Sequence, residues 1–78
     1  MTEKRQVEPV YRKLGKLVKH RRIELQMTAQ ELAKNVKVSR PAIANIEAGR
    51  QRISIHQMMK IEKALGYPPA YLIIAGVK

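Results

Sequence analysis

The segment from Thr28 to Gly49, TAQELAKNVKVSRPAIANIEAG, constrains the fold more than any other part of the chain. Thr28 and Glu31 have the spacing of a capping box, in which each side chain bonds the other residue's backbone N–H, so a helix is predicted to begin there. Ser39 is a second N-cap candidate, and Pro41 is tolerated because it falls within a first helical turn. Gly49 ends the second helix. The segment therefore predicts two short helices joined by a turn of about three residues.

Similar signals predict three further helices. Pro9 suits a first helical turn, and apolar residues recur at helical spacing after it, so a first helix is predicted from about Pro9 to Leu25. Ser54 repeats the capping box and Gly66 ends that helix. A short fifth helix is predicted over residues 70–75. The apolar side of the fourth helix is predicted to comprise Ile55, Met58, Met59, Ile61, Ala64 and Leu65, with both methionines in the core. The predicted fold is all-α, a compact domain of five helices.

The composition limits the class of protein. A chain of 78 residues makes one small domain, and without cysteine it has neither disulfides nor thiolate metal sites, which fits a reducing cytosol. Residues 1–8 are expected to be a flexible basic arm and residues 9–78 a single domain. We find no signal peptide, and the apolar run at residues 71–75 is too short to span a bilayer. The expected location is the cytoplasm, with no membrane partner.

The charge indicates the partner. Sixteen Lys and Arg residues against six acidic residues give a net charge of +10, which attracts polyanions such as nucleic acid. A solvated basic surface without a partner is the alternative. No Ser is placed with an organised base, and His20 and His56 lack the arrangement of metal ligands. The sequence therefore predicts no enzyme, metal, cofactor or small-molecule ligand.

The second of the two helices predicted within residues 28–49 has an outward-facing side. If Ile43 and Ile46 are buried, the other residues of the same helix must lie on other faces and point outward. These residues are Arg40, Ala42, Ala44 and Asn45. A helix held out in this way, with arginine near its N-terminus, fits the major groove of DNA.

Residues 14–73 resemble the Cro/cI-type helix-turn-helix family, also called the Xre family, of prokaryotic and phage regulators. The resemblance implies a λ-repressor-like domain that binds double-stranded operator DNA as a homodimer. The matching residues are Leu14-Gly15, Arg22, Thr28, Glu31-Leu32-Ala33, Val38-Ser39, Ile43, Ile46-Glu47, Gly49, Ala64-Leu65-Gly66 and Leu72.

Three positions depart from the family pattern. The family usually has Gln at the first position of its second helix, where this chain has Ala29, and Gln30 is the candidate to replace its phosphate contact. Lys37 stands where the inter-helix turn usually has Gly, which implies either mild strain or a different turn. Pro41 removes a residue that often reads a base.

The expected site residues fall into four groups. Arg40, Pro41, Ala42 and Asn45 are expected to contact bases, with arginine reading guanine and asparagine reading adenine; the alternatives are phosphate contact, helix filler or a solvated side chain. Arg22 and Glu47 are expected to form an ion pair. The expected phosphate contacts are Thr28, Gln30, Ser39, Arg50, Gln51 and Arg52. The expected dimer interface comprises Tyr71, Leu72, Ile73, Ile74 and Val77, unless these residues cover only the single core.

The leading hypothesis is a sequence-specific transcriptional regulator, either a repressor or a restriction–modification controller, that reads a palindromic operator. The alternatives are the antitoxin and autorepressor of a toxin pair, or a protein–protein adaptor that uses the same fold. Binding to a membrane surface is disfavoured because the apolar face of the first helix is needed for the core.

Overall fold

A computed structural model describes residues 9–77 of the chain, and this part contains five α-helices and no strand. The all-α prediction is confirmed. The predicted arm at residues 1–8, and Lys78, lie outside the described residues. The helices are α1 (Pro9–Glu24), α2 (Ala29–Val36), α3 (Arg40–Glu47), α4 (Ile55–Leu65) and α5 (Tyr71–Val77). No helix in this range is long and apolar enough to cross a membrane.

The helix starts follow the local sequence. Thr28 Oγ1 accepts from the Glu31 N–H at 3.0 Å and Glu31 Oε1 accepts from the Thr28 N–H at 2.8 Å, which completes the predicted capping box. Ser54 and Gln57 form the same reciprocal pair at the start of α4. Ser39 caps α3 by accepting from the Ala42 N–H at 3.1 Å. These caps fix where α2, α3 and α4 begin, and residues 37–39 form the predicted three-residue turn.

Helices α1 to α4 end with a residue in the left-handed backbone region, after which the chain folds back along the helix. At the ends of α3 and α4 this residue is glycine, with φ of 74° at both Gly49 and Gly66. At the ends of α1 and α2 it is Gln26, with φ of 56°, and Lys37, with φ of 63°. The turn before α3 therefore has the left-handed backbone geometry that glycine usually adopts, and Lys37 adopts it with backbone strain.

The core lies at the centre of the five helices and is mainly aliphatic. Gly15 sets the distance between α1 and α3, because a Cβ there would lie 2.6 Å from the Glu47 carbonyl oxygen and would also clash with that of Ile46. The buried apolar residues are Leu14, Val18, Leu32, Ala33, Val36, Ile43, Ile46, Ile53, Met58, Ile61, Leu65 and Leu72.

Two predictions about the fourth helix were wrong. Met58 is buried as expected, but Met59 is 59% exposed and is not core filler. Ile55 also lies on the surface. Both side chains have helical spacing with the core residues, but no other described element covers that part of the helix surface.

The fifth helix begins one residue later than predicted and extends to Val77, beyond the predicted end at Ala75. Ala70 has φ of 67° and therefore cannot belong to the helix. Leu72 is fully buried, so its predicted place in a dimer interface is wrong: its side chain belongs to the core of the single domain. The first helix ends at Glu24, and Leu25 lies in the following turn as an exposed residue.

Candidate nucleic-acid interface

The exposed face of α3 is small and begins with a cation. Arg40 and Pro41 occupy the first two helical positions and are exposed, whereas Ala42 and Asn45 are half-buried. Ile43 and Ile46, on the opposite side, are fully buried and fix the rotation of the helix about its axis. The helix therefore presents a narrow outer surface that would let its backbone approach another molecule closely.

Sequence reasoning did not assign two residues of this surface a role in binding. Ala44 of α3 and Ala48, the residue that follows the helix, are exposed on the same side as Pro41, so the surface between Arg40 and Arg50 carries methyl groups and no charge. The signal was the helical period, since both alanines lie away from the buried isoleucines.

Thr28 and Ser39 lie at the starts of α2 and α3, where backbone N–H groups are not used within the helix. Each hydroxyl accepts a hydrogen bond from its own helix, which leaves the hydroxyl proton available to an external acceptor. Gln30 is exposed at the second position of α2. Two helix starts with these side chains suit an anionic ligand such as a phosphate group.

The loop after α3 supplies further cations. Arg50 and Arg52 are exposed and Gln51 is half-buried. Arg50 Nε donates to Asn45 Oδ1 at 3.0 Å, so two residues expected to act separately are in contact. The backbone and side-chain stem of Arg12, a residue of α1, pack against Gly49 at the start of this loop. That contact joins distant parts of the chain, so no local sequence pattern predicts it.

Arg22 holds α1, the following turn and α3 together. Its Nε donates to Glu47 Oε2 at 2.7 Å and its Nη2 donates to Glu47 Oε1 at 3.1 Å, while Nη1 donates to the Met27 carbonyl at 2.8 Å. The hydrogen bonds that Arg22 donates to the Glu47 carboxylate raise the pKa of Arg22 above its ordinary value, against the opposing effect of burial. The two residues expected to pair thus fix the end of α3 relative to α1.

A second surface lies on the side formed by α4 and α5. Tyr71, Ile73, Ile74 and Val77 of α5 are exposed, and Tyr71 stacks on Tyr67 with ring centroids 4.2 Å apart. A groove of about 230 Å³ separates α5 from α4. The groove is lined by Ile55, Met58, Met59, Glu62, Pro69, Ala70 and Ile73.

The chemistry of the first surface is that of hydrogen-bond donors and positive charge. Within residues 9–77 no group of three or more His, Cys, Asp or Glu side chains is arranged to hold a metal ion. The donors are guanidinium groups, hydroxyls and helix-start N–H groups, which complement phosphate oxygens and the acceptors at base edges.

Comparison with known proteins places this geometry in a family. A model of the family described as Helix-turn-helix matches residues 18–72, which include all of α2, α3 and α4. No curated protein sequence gave a significant match.

Solved structures give two kinds of similar protein. The chain is similar to the clp gene regulator ClgR of Corynebacterium glutamicum, at 25% identity with a TM-score of 0.81 over 91% of this chain and 76% of that chain. A second ClgR structure gives 26% identity and a TM-score of 0.81 over 95% of each chain. A point mutant of the restriction-modification controller protein C.Esp1396I gives 25% identity and a TM-score of 0.79 over 91% of this chain and 92% of that chain.

Proposed function

The chain belongs to the Xre-type helix-turn-helix family of DNA-binding transcriptional regulators, and we propose that it is a homodimeric repressor or restriction–modification controller. In this proposal it reads a palindromic operator, with α3 in the major groove. The observation that supports it most is the exposed face of α3, which has Arg40 at its start and the Arg50–Arg52 loop at its end. The similar proteins are described as a gene regulator and a restriction–modification controller.

Base reading begins at Arg40. Its guanidinium is exposed at the first position of α3, from which two N–H groups reach guanine O6 and N7 in a groove-bound helix. A bidentate contact of this kind contributes about 1–3 kcal/mol of discrimination against other bases. Pro41 and Ala42 offer apolar contact to a thymine methyl group. Asn45 is the fourth residue of this set.

Phosphate contacts hold the helix in register. Thr28, Gln30 and Ser39 lie at the two helix starts, and Arg50, Gln51 and Arg52 lie in the loop, so the two sets bracket α3. Such contacts carry no sequence information, but they fix the orientation of the reading helix on the duplex. The net charge of +10 adds a general attraction that weakens with salt.

Dimerisation involves the apolar face of α5. Tyr71, Ile73, Ile74 and Val77 are exposed there, and we add Ile55 and Met59 of α4, which continue the same apolar surface. A twofold axis makes the same patch pair with itself. It also sets two recognition helices about 34 Å apart, one turn of DNA, which is why a palindromic operator is proposed.

The same proposal includes no catalytic activity, because the side chains of the α3 surface are donors and methyl groups without a nucleophile and base in contact. It requires no cofactor, metal or small-molecule ligand. We place the protein in the cytoplasm, bound to DNA.

The test is selection from a random pool of duplex DNA by the full chain, with binding repeated across a salt series. Enrichment of a palindrome with half-sites about one helical turn apart supports the proposal. Arg40→Ala is then expected to lose one base preference within each half-site. Steep salt dependence without any enriched sequence would contradict it and would leave only general polyanion binding.

A further inference from the structure

Arg50 and Asn45 are joined twice. The Arg50 backbone N–H donates to the Asn45 carbonyl oxygen at 2.9 Å, and Arg50 Nε donates to Asn45 Oδ1 at 3.0 Å. The backbone bond forms because Gly49, with φ of 74°, turns the chain back along the helix. The position of Arg50 is therefore set by its bonds to the helix and differs from that of an ordinary loop residue. It lies against the last turn of the helix.

Two side chains at these positions usually touch at a helix end of this type, but the contact is ordinarily apolar. The equivalent residues at the end of α2 follow that rule: the Val38 N–H donates to the Ala33 carbonyl at 3.0 Å, Ala33 is buried and Val38 is half-buried. At the end of α3 the same positions hold an amide and an exposed guanidinium. Contact between an amide and a guanidinium buries no apolar surface, so apolar packing does not explain why these two side chains meet.

The two residues differ in exposure, and this difference separates their roles. Asn45 is half-buried against the helix, whereas Arg50 is exposed beyond it. Since Nε is bonded to Asn45, a bidentate contact from Arg50 would use its two Nη groups, a fork that matches O6 and N7 of guanine. The exposed residues between Arg40 and Arg50 are Pro41 and Ala44 of α3 and Ala48 directly after it, and their side chains offer no hydrogen bond.

We propose that Arg50 is a second guanine-reading side chain and that Asn45 is the positioning residue that holds it, rather than a reader of adenine. This inference rests on the proposed function but replaces two of the roles given there: Arg50 reads a base instead of contacting phosphate, and Asn45 positions Arg50 instead of reading adenine. Readout by hydrogen bonding then occurs at the two ends of α3, through Arg40 and Arg50, with methyl contacts between them.

The experiment measures affinity for the selected operator and for variants that carry each base at each half-site position. Arg50→Ala is expected to abolish the preference for one guanine, a discrimination of roughly 5- to 150-fold. Arg50→Lys keeps the charge without the fork and is expected to lose the same preference. Arg40→Ala is the matched control, because it should lose a preference at a different position.

Asn45 is tested by the identity of the base affected. Asn45→Ala is expected to weaken the same guanine preference as Arg50→Ala, and the double variant should lose no further preference. Asn45→Asp keeps an acceptor for Arg50 Nε and is expected to restore the guanine preference, even if its charge lowers overall affinity. A purely structural role would not predict this rescue. Thermal unfolding of each variant verifies that the fold is retained.

Two results would overturn the inference while leaving the proposed function intact. If Arg50→Ala weakens binding equally for all bases and reduces the salt slope by about 1, Arg50 contacts phosphate. If Asn45→Ala instead abolishes a preference for adenine at another position, additively with Arg50→Ala, Asn45 is the reader. A wild-type chain that enriches no sequence would overturn the proposed function and this inference together.

Discussion

The carboxylate of Glu62, on α4, accepts hydrogen bonds from the backbone N–H groups of Ala70 at 3.1 Å and Leu72 at 2.9 Å. It does for α5 what Thr28 and Ser54 do for their own helices, because Ala70 has no side chain that could cap. Glu62 is only 3% exposed. The attachment of α5, and with it the proposed dimer face, therefore depends on a carboxylate from another helix.

Glu62→Gln is expected to lower the free energy of unfolding by about 1.5–3 kcal/mol, the range for hydrogen bonds to a charged group. The amide has one acceptor oxygen instead of two, so the backbone N–H of either Ala70 or Leu72 loses its partner. Urea unfolding measures the change, and Lys63→Gln, at an exposed neighbouring position, is the control. Equal midpoints for the Glu62→Gln variant and the wild type would show that this cap contributes nothing.

The sequence predicted where helices begin and end better than it predicted which elements pack against one another, and the reason is physical. Thr28, Ser39 and Ser54 act on backbone groups three residues away, so the pattern contains both partners. The partners of Glu62 lie eight and ten residues away across a turn that no periodicity describes. In the same way, helical spacing could not show that the surface of α4 around Met59 is left uncovered.

Gly15→Ala tests the close approach of α1 to α3. The added Cβ would meet the carbonyl oxygens of Ile46 and Glu47, which are backbone atoms and cannot rotate away. Overpacking of this kind costs about 1–3 kcal/mol, and a loss of that size in urea unfolding is expected. Lys19→Ala, on the exposed side of the same helix, should change stability little. A stability equal to the wild type would show that α3 can move outward at no cost.

Lys37→Gly should stabilise the protein. Lys37 has φ of 63° and ψ of 47°, a region that costs a non-glycine residue about 1–2 kcal/mol. Glycine adopts this region without that cost but has more freedom in the unfolded chain, which offsets about 0.5–1 kcal/mol. The expected net gain is about 0.5–1 kcal/mol, seen as a higher melting temperature. Lys34→Gly, in the interior of α2, should lower the melting temperature. A Lys37→Gly variant with a lower melting temperature than the wild type would show that the backbone of Lys37 is not strained.

The ion pair between Arg22 and Glu47 is expected to be strongly coupled, because its side chains are only 12% and 8% exposed. Each single substitution by alanine leaves the partner charge poorly compensated. A double-mutant cycle in urea should give a coupling of about 1–3 kcal/mol. Arg21 and Glu24, 3.6 Å apart and more exposed, form the matched control, with an expected coupling below about 0.5 kcal/mol. Similar couplings for the two pairs would mean that burial does not distinguish them.

The proposed DNA-binding surface was less predictable from the sequence than the helices that carry it. The exposure of Arg40 followed from the burial of Ile43 and Ile46, which is a local argument. The bond between Asn45 and Arg50 required the geometry of the helix end as well, and the sequence signal for it was Gly49. Arg12 reaches the same loop through packing of α1 on Gly49, a contact that only the tertiary structure contains.

Ile74→Glu tests the proposed dimer face, and Ile23→Glu is its matched control. The two isoleucines are almost equally exposed, at 55% and 56%, but Ile74 lies on α5 and Ile23 on α1. A twofold interface would bury the new carboxylate on both subunits without a partner, so Ile74→Glu is expected to sediment as a monomer and to lose affinity for the full operator while it still binds a half-site. Ile23→Glu should remain a dimer with wild-type cooperativity. If both variants sediment and bind alike, α5 is not the interface, and the symmetry of the operator must arise elsewhere.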